Sequence, residues 1–338
     1  MPVGQQRILI ADDEQTIRFV LSQMLEREGL EVATACDGEE ALSLFEEVRP
    51  DLVIVDIVMP RLNGFEVCRR IKADPENRLT PVIIVTSSSA AENRMKGLEA
   101  GADDFLSKPV DRLEMLARVR SLLRIKRYAD ELERAETVLF ALARSIEGKD
   151  PYTEGHCERL SVYAAKLGQR LGFPEEEVVA LRRAGIVHDI GKVAVPDAIL
   201  LKPARLEPEE WVVMRQHPIV GDRICSGLKS FRLVLPVIRH HHEKLNGTGY
   251  PDRLKGEAIP RTARALQIVD VFDALTTKRP YKEALSLDEA LEVMRQEVAK
   301  GWWDPGFFAD FSSLVKEEGF RTDEAVAEGL PSVAAGAE

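Results

Sequence analysis

The segment LVIVDIVMPRLNG, residues 52–64, decides the fold of the first part of the chain. It begins with four apolar residues in a row, which is typical of a strand covered by helices on both faces of a parallel sheet. The run VIIVT at residues 82–86 has the same character. A sheet with one face in water would instead show apolar and polar residues in alternation, so these runs predict an α/β domain.

Short apolar runs of this kind alternate with helical patterns throughout residues 1–123. They cover residues 7–11, 31–35, 52–55, 82–86 and 104–107. Alternation of strand and helix along the chain is typical of a doubly wound sheet with parallel strands. We therefore predict that residues 1–123 form a five-stranded parallel sheet with helices on both faces.

Polar residues follow these strands at the edge where such sheets bind their ligands. They are Asp12 and Asp13 after the first strand, Asp56 at the third, Thr86 at the fourth and Lys108 after the fifth. Three carboxylates at one point repel one another unless a cation joins them, and their hard oxygens suit Mg²⁺. The lysine and the threonine can bind a phosphate, so the set predicts a phosphorylatable site. Taken singly, the same side chains would only cap helices or solvate strand ends.

Residues 1–123 resemble the receiver domain of response regulators in these polar residues and in the loop DIVMPRLNG that follows the third strand. The resemblance implies that Asp56 accepts a phosphoryl group from a histidine kinase. It further implies that Asp12 and Asp13 help to hold Mg²⁺, and that Thr86 and Lys108 bind the phosphoryl oxygens.

Phe105 precedes Lys108 by three residues and matches the aromatic switch residue of the same family. A phosphoryl group at Asp56 would draw in Thr86, and Phe105 could then rotate into the space that Thr86 leaves. The alternative is that Phe105 is an ordinary core residue at the edge of the sheet.

A long helix is predicted after Pro109, because the next proline is Pro151. Within it, apolar residues recur at alternating spacings of three and four, the pattern of a coiled-coil seam. These residues are Ile125, Tyr128, Leu132, Ala135, Leu139, Leu142 and Ile146. We interpret residues 124–147 as a connecting helix, which either pairs with a second copy in a homodimer or packs on its own downstream domain.

The composition excludes several classes of function. A chain of 338 residues can hold two domains, and a net charge of -11 is opposite to that of a nucleic-acid-binding surface, so no DNA partner is expected. The four cysteines lie far apart, which argues against disulfides and a thiolate metal site and favours the cytoplasm. No apolar run approaches the ~18 residues that a membrane span needs.

The rest of the chain is helical in its periodicity. Residues 148–323 predict an all-α domain, and residues 324–338 are small and polar enough to form a flexible tail.

Histidines and carboxylates occur together in this helical domain. Three of the six histidines are consecutive at 240–242, at the start of HHHEKLNGTGYP, and the others are His156, His188 and His217. Asp189 follows His188 directly, and Asp270 lies in an apolar helix. Imidazole and carboxylate without thiolate suit iron, manganese or zinc, and Asp189 could bridge two ions. Each residue alone has an ordinary alternative, such as a solvated histidine run or a satisfied core histidine.

The same domain resembles the HD-GYP phosphodiesterases, a branch of the HD metal-dependent phosphohydrolases. The matching motifs are HDIGK at 188–192, HPIVG at 217–221, HHEKLNGTGYP at 241–251 and DVFDALTTKRPYK at 270–282. The resemblance implies a two-metal centre with the ligands His156, His188, Asp189, His217, His241, His242 and Asp270, and it leaves His240 outside the set. It also implies that Lys192 acts beside Asp189 as a proton donor or phosphate ligand, and that Arg279 and Lys282 hold the substrate phosphates.

Two positions depart from the family pattern. Tyr152 stands where some members have a glutamate that holds a third metal, and Glu154 points to another face of the helix, so we expect two metals. Asn246 stands where the family usually has an acidic residue, which leaves the substrate contacts of this loop open.

These expectations combine into a response regulator that hydrolyses cyclic di-GMP to linear pGpG, with GMP as a further end product, under the control of phosphorylation at Asp56. Two divalent ions, iron or manganese before zinc, would activate a water for attack on phosphorus. The alternatives are a cyclic GMP-AMP phosphodiesterase and a catalytically weak scaffold that binds a dinucleotide.

Overall fold

The structure is a computed structural model that describes residues 5–87, 91–148, 155–277 and 284–319. The chain divides into two compact units, and the division falls between Ala135 and Glu136. Each unit has its own hydrophobic core and its own candidate site. Among the described residues, no helix has both the length and the apolar composition that crossing a membrane requires.

The first unit is built on a five-stranded sheet. Its strands are β1 (Arg7–Ala11), β2 (Glu31–Ala35), β3 (Leu52–Asp56), β4 (Val82–Thr86) and β5 (Asp104–Ser107), in the order β2-β1-β3-β4-β5. Every pairing is parallel, and Asp56 stands opposite Val85 in the register of β3 and β4. The predicted doubly wound sheet is confirmed; β3 runs one residue further than expected and ends on Asp56.

Helices cover both faces of this sheet because its central strands are apolar on both. The helices are α1 (Gln15–Glu26), α2 (Gly38–Val48), α3 (Gly64–Ala73), α4 (Ala91–Glu99) and the first part of α5 (Arg112–Glu147). Val53 and Val55 of β3 point into one core and Leu52 and Ile54 into the other. All residues of β3 and β4 are buried, which fits their unbroken apolar runs.

Helix α5 is continuous over 36 residues and contributes to both units. Its first part buries Met115 and Val119 in the core of the sheet, and its last part buries Leu139 and Ala143 in the core of the second unit. Between them, the predicted seam residues Ile125, Tyr128 and Leu132 are exposed. The seam therefore has two parts with different surroundings, and the predicted domain boundaries, at 123 and 147, remain predictions.

The second unit is helical, as predicted, and its described residues contain no strand. Its helices are α6 (His156–Arg170), α7 (Glu175–Val187), α8 (Asp197–Leu200), α9 (Pro208–Met214), α10 (His217–Cys225), α11 (Leu235–His240), α12 (Arg261–Thr276), α13 (Leu287–Ala299) and α14 (Pro305–Glu318). Short 3-10 turns cover Ile190–Ala194, Lys229–Phe231 and Gly256–Ala258. Phe231, Phe272 and Phe311 are fully buried in the core that joins these helices.

Candidate functional site

The first candidate metal cluster joins three helices of the second unit. His156 begins α6, His188 follows the last residue of α7, and Asp270 lies within α12. One ligand atom from each lies within 4.8 Å of the others. Gly185 makes the approach of α6 and α7 possible, because a Cβ at this position would lie 2.4 Å from the backbone nitrogen of Ser161.

The second candidate cluster adjoins the first and consists of Asp189, His217, His241 and His242, again with one ligand atom each within 4.8 Å of the others. His217 is the first residue of α10, and His241 and His242 directly follow α11. A Cβ at Gly191 would lie 1.9 Å from the His217 carbonyl oxygen, so only glycine lets this turn and the start of α10 come so close.

Asp189 lies between the two clusters and faces each with a different oxygen. Its Oδ2 is 3.3 Å from Nε2 of His188, and its Oδ1 is 3.1 Å from Nε2 of His217 and 3.7 Å from Nε2 of His241. This is the arrangement that a carboxylate needs to bridge two ions. The structure thus brings together all seven residues predicted as ligands.

Backbone carbonyls fix the orientation of three of the imidazoles. Nδ1 of His188 lies 3.1 Å from the carbonyl oxygen of Gly185, and Nδ1 of His217 and His241 lie 2.8 and 2.7 Å from the carbonyls of Met214 and Ile238. A carbonyl only accepts, so each Nδ1 carries the proton and each Nε2 presents a lone pair to the cluster. Histidines that bind metals are oriented in this way.

Unsatisfied atoms at the centre fit a pair of cations. Nε2 of His188 and Oδ1 of Asp189 are buried and make no hydrogen bond of acceptable geometry. Their polar neighbours are other atoms of the two clusters, at 3.3 and 3.1 Å. Burial lowers the pKa of His241 and lowers that of His242 further, so both imidazoles are neutral. Burial would also lower the pKa of His188, but the Asp189 carboxylate outweighs it and raises that pKa. Burial would raise the pKa of Asp189, but the charged Lys192 and His188 beside it hold that pKa well below its usual range. An ionised carboxylate next to the neutral imidazoles of His241 and His242 suits a divalent metal.

Asp273 and Arg159 complete the first cluster and were not predicted from the sequence. Asp273 Oδ2 lies 2.7 Å from Nδ1 of His156, and Nε of Arg159 donates to Asp273 Oδ1 at 2.6 Å. Both side chains are buried. Burial would raise the pKa of Asp273, but hydrogen bonds from His156 and Arg159 lower it, so the carboxylate is charged and orients the imidazole. The spacing of Asp270 and Asp273, one helical turn apart, was the available signal.

Lys192 lies beside the centre, with its Nζ 2.5 Å from Asp189 Oδ2. Its side chain is 31% exposed, so the ammonium can also reach a bound substrate. The predicted phosphate ligands Arg279 and Lys282 lie outside the described residues, and so do Tyr152 and Glu154.

The loop after the histidine run is held by its own polar residues. His240 turns away from the clusters, with Nε2 3.0 Å from Asp252 Oδ2. Glu243, which was not predicted, is fully buried and accepts from the backbone of Asp252 and Leu254 at 2.7 and 3.0 Å. Asn246 accepts from the Thr248 backbone at 3.1 Å, which gives this unusual asparagine a role in loop structure.

The first unit carries a second candidate site at the carboxyl ends of its strands. Asp12, Asp13 and Asp56 each have a carboxylate oxygen within 4.8 Å of the others. Lys108 Nζ lies 2.9 Å from Asp12 Oδ2 and 3.0 Å from Asp56 Oδ1. Burial raises the pKa of Asp56, and the Lys108 ammonium offsets only part of this effect. Three converging carboxylates outweigh the single ammonium, and the remaining negative charge can be neutralised by a divalent cation such as Mg²⁺.

Thr86 and Phe105, the two residues of the predicted switch, both lie inward from the surface of the sheet. Thr86 is buried at the end of β4. The Phe105 ring packs against the core between the sheet and α4, where it covers Gly97 so closely that a Cβ there would lie 2.5 Å from its Cε1. The two interpretations of Phe105, switch and core residue, share this inward position.

Comparisons with known proteins agree with the two units. Residues 8–120 match the response regulator receiver domain family, and residues 141–307 match the HD domain family. The cyclic di-GMP phosphodiesterase response regulator RpfG of Xanthomonas campestris is 38% identical over 310 residues, covering 85% of this chain and 82% of the relative. The cyclic di-GMP phosphodiesterase of Thermotoga maritima is 33% identical over 338 residues, covering 92% and 90%. The 3'3'-cGAMP-specific phosphodiesterase 3 of Vibrio cholerae is 37% identical over 174 residues, covering 52% and 38%.

Proposed function

The chain belongs to the family of cyclic di-GMP phosphodiesterase response regulators, in which a receiver domain precedes an HD domain, and we propose that it hydrolyses cyclic di-GMP to linear pGpG and further to GMP. The observation that carries this proposal is the pair of adjoining clusters that share Asp189. Imidazoles and carboxylates, turned inward by their backbone and side-chain partners, form a site for two ions rather than one.

The ligands divide between the two ions. His156, His188 and Asp270 would hold the first ion, His217, His241 and His242 would hold the second, and Asp189, whose two oxygens face the two clusters, would be available to both. When bound, the ions supply an activated water and neutralise charge on the phosphoryl oxygens. This donor set suits iron or manganese, and zinc to a lesser degree.

Lys192 assists the departure of the leaving group. Its ammonium lies against the bridging carboxylate and is partly exposed, so it can donate a proton to the departing ribose oxygen or bind a phosphoryl oxygen. Arg279 and Lys282 supply further positive charge for the phosphates, because the acidic chain must hold an anionic substrate by local cations.

The receiver provides the control. Asp56 takes a phosphoryl group from a histidine kinase, with Mg²⁺ held by Asp12, Asp13 and Asp56, while Lys108 and Thr86 bind the phosphoryl oxygens and Phe105 responds to the change. The exposed part of the seam on α5 is the surface through which two copies pair. All four cysteines are free, which suits the cytoplasm.

Cyclic GMP-AMP is the second candidate substrate. The identity with a cGAMP-specific phosphodiesterase supports it, although that similarity covers a smaller part of this chain than the similarity to the two cyclic di-GMP phosphodiesterases.

Product chromatography tests the proposal. The protein is loaded with iron or manganese and incubated with cyclic di-GMP or cyclic GMP-AMP. We expect pGpG from cyclic di-GMP, and a loss of turnover of at least about a thousandfold in His188→Ala and Asp189→Ala, since each removes a ligand on which the reaction depends. His240→Gln is the matched control from the same run of histidines and should retain turnover. Tight binding without product in the parent would instead support a scaffold.

A further inference from the structure

Arg215 lies between two aromatic rings at the edge of the second cluster. Its guanidinium carbon is 5.7 Å from the centre of the Trp211 ring and 5.5 Å from the centre of the Tyr250 ring. It directly follows α9 and precedes the cluster residue His217 by two positions. Arg215 is therefore tied to the candidate centre by its ring contacts and by the backbone.

A single ring separates Arg215 from the cluster. The Tyr250 ring packs on the His242 ring with centres 4.8 Å apart and planes 32° apart, and it also meets the His217 ring at 6.4 Å. The guanidinium is too far out to join the metal ligands. It lies one aromatic ring outward from the cluster, on the exposed side of Tyr250.

The positive charge of Arg215 is not neutralised by any described residue. No carboxylate among the described residues is within ion-pair distance of Arg215, whereas nearby Arg239 pairs with Asp252 at 2.6 Å and Lys202 with Glu210 at 2.6 Å. Arg215 is exposed. The Arg215 side chain makes no hydrogen bond to another described residue, so its N–H donors are available to a ligand.

The two rings restrict the positions that the guanidinium can take. Trp211 lies in α9, whose first turn is fixed by a hydrogen bond of 2.8 Å from the Glu207 backbone to Glu210, the residue that also pairs with Lys202. Tyr250 is held on the other side by its packing on His242. A positioned planar donor pair recognises a planar acceptor pair, whereas a flexible surface arginine gives little selectivity.

We propose that Arg215 is a specificity-determining residue that recognises a guanine base of the substrate, with Trp211 and Tyr250 positioning its guanidinium. Guanine offers two acceptors, O6 and N7, that match the two parallel donors of an arginine. Adenine presents an amino donor where guanine has O6 and cannot make the same pair. This inference rests on the proposed function and extends it from the phosphodiester to the base.

The test compares cyclic di-GMP with cyclic di-AMP in the full-length, metal-loaded protein. We expect Arg215→Gln to lower kcat/KM for cyclic di-GMP on the order of tenfold to a hundredfold and to leave cyclic di-AMP almost unchanged, so that the preference for guanine falls. Arg215→Lys keeps the charge but not the paired donors and should lose the preference as well. Trp211→Leu should reduce the preference by a smaller factor. The matched control is Arg223→Gln, an exposed arginine of α10, which should behave like the parent.

The outcomes separate this inference from the proposed function. Equal losses of kcat/KM for both dinucleotides would mean that Arg215 binds a phosphate. No loss would mean that Arg215 does not contact the substrate. Either result overturns base recognition but leaves the proposed hydrolysis in place. If the parent binds cyclic di-GMP without turnover, equilibrium dissociation constants of the same variants replace kcat/KM and decide the matter. A parent that neither binds nor hydrolyses any of the dinucleotides overturns both.

Discussion

Asp273 shows how one residue outside the proposed ligand set governs a ligand. It holds the Nδ1 side of His156 and pairs with Arg159 in the core of the second unit. We expect Asp273→Asn to weaken binding of the first metal ion about 10- to 100-fold, because partners of metal-bound histidines contribute that much to affinity. Competition with a chelator measures this affinity, and the second ion should be bound as in the parent.

The same substitution replaces the carboxylate that faces the buried, charged Arg159 by a neutral amide, and breaking a buried ion pair costs roughly 3–5 kcal/mol of stability. The double variant Asp273→Asn with Arg159→Met removes that charge and should melt at a higher temperature than the single variant, with the first ion still weakly bound. Normal affinity for both ions in the double variant would mean that Asp273 serves only the stability of the fold.

The site residues that could be identified from the sequence are those whose side chains can themselves bind a metal ion. His156, His188 and Asp189 could be selected by residue type and motif. The spacing of Asp273 from Asp270 was a signal, but the partnership of Asp273 with Arg159 could not be predicted, because the two meet only when α6 and α12 pack side by side, 114 residues apart along the chain. Arg279 and Lys282, outside the described residues, stay predictions.

At the scale of the element, the surroundings of α5 determine which residues of its apolar seam can contact a second copy. Periodicity predicted the helix itself, but it could not tell which partner each apolar residue would meet. The second part buries Leu139 in its own unit, and Glu147 accepts from the backbone of Cys157 at 3.1 Å, which ties the end of α5 to the helix that starts with His156. The first part is left exposed for a second copy around Tyr128 and Leu132, and Leu142 in the second part is exposed as well.

We predict that the parent is a dimer at micromolar concentration and that Tyr128→Glu with Leu132→Glu makes it a monomer, because two charges on each seam would face each other across the interface. Light scattering gives the mass, with and without beryllofluoride as a phosphoryl mimic. Ala141→Glu, an exposed position off the seam, is the control and should remain dimeric. A parent that is monomeric in both conditions would rule out pairing through α5.

At the scale of the whole molecule, each candidate site draws its described ligand atoms from a single unit. The acidic site lies at the strand ends of the first unit, and both metal clusters lie among the helices of the second. Along the chain, α5 is the segment that joins the units. The α/β class of the first unit and the all-α class of the second could be predicted from the sequence. Strands buried on two faces have unbroken apolar runs, whereas helices have apolar residues at spacings of three and four.

The metal content of the second unit tests the central claim most directly. Elemental analysis of the protein loaded with iron in the presence of Mg²⁺, which fills the acidic site of the first unit, combined with the rate of cyclic di-GMP hydrolysis, should give two iron ions per chain in the parent and in His240→Gln. His156→Ala and His241→Ala should each retain one ion and lose turnover, because each removes a ligand from a different cluster. Full turnover by a chain that holds one ion or none would contradict the two-metal centre around Asp189.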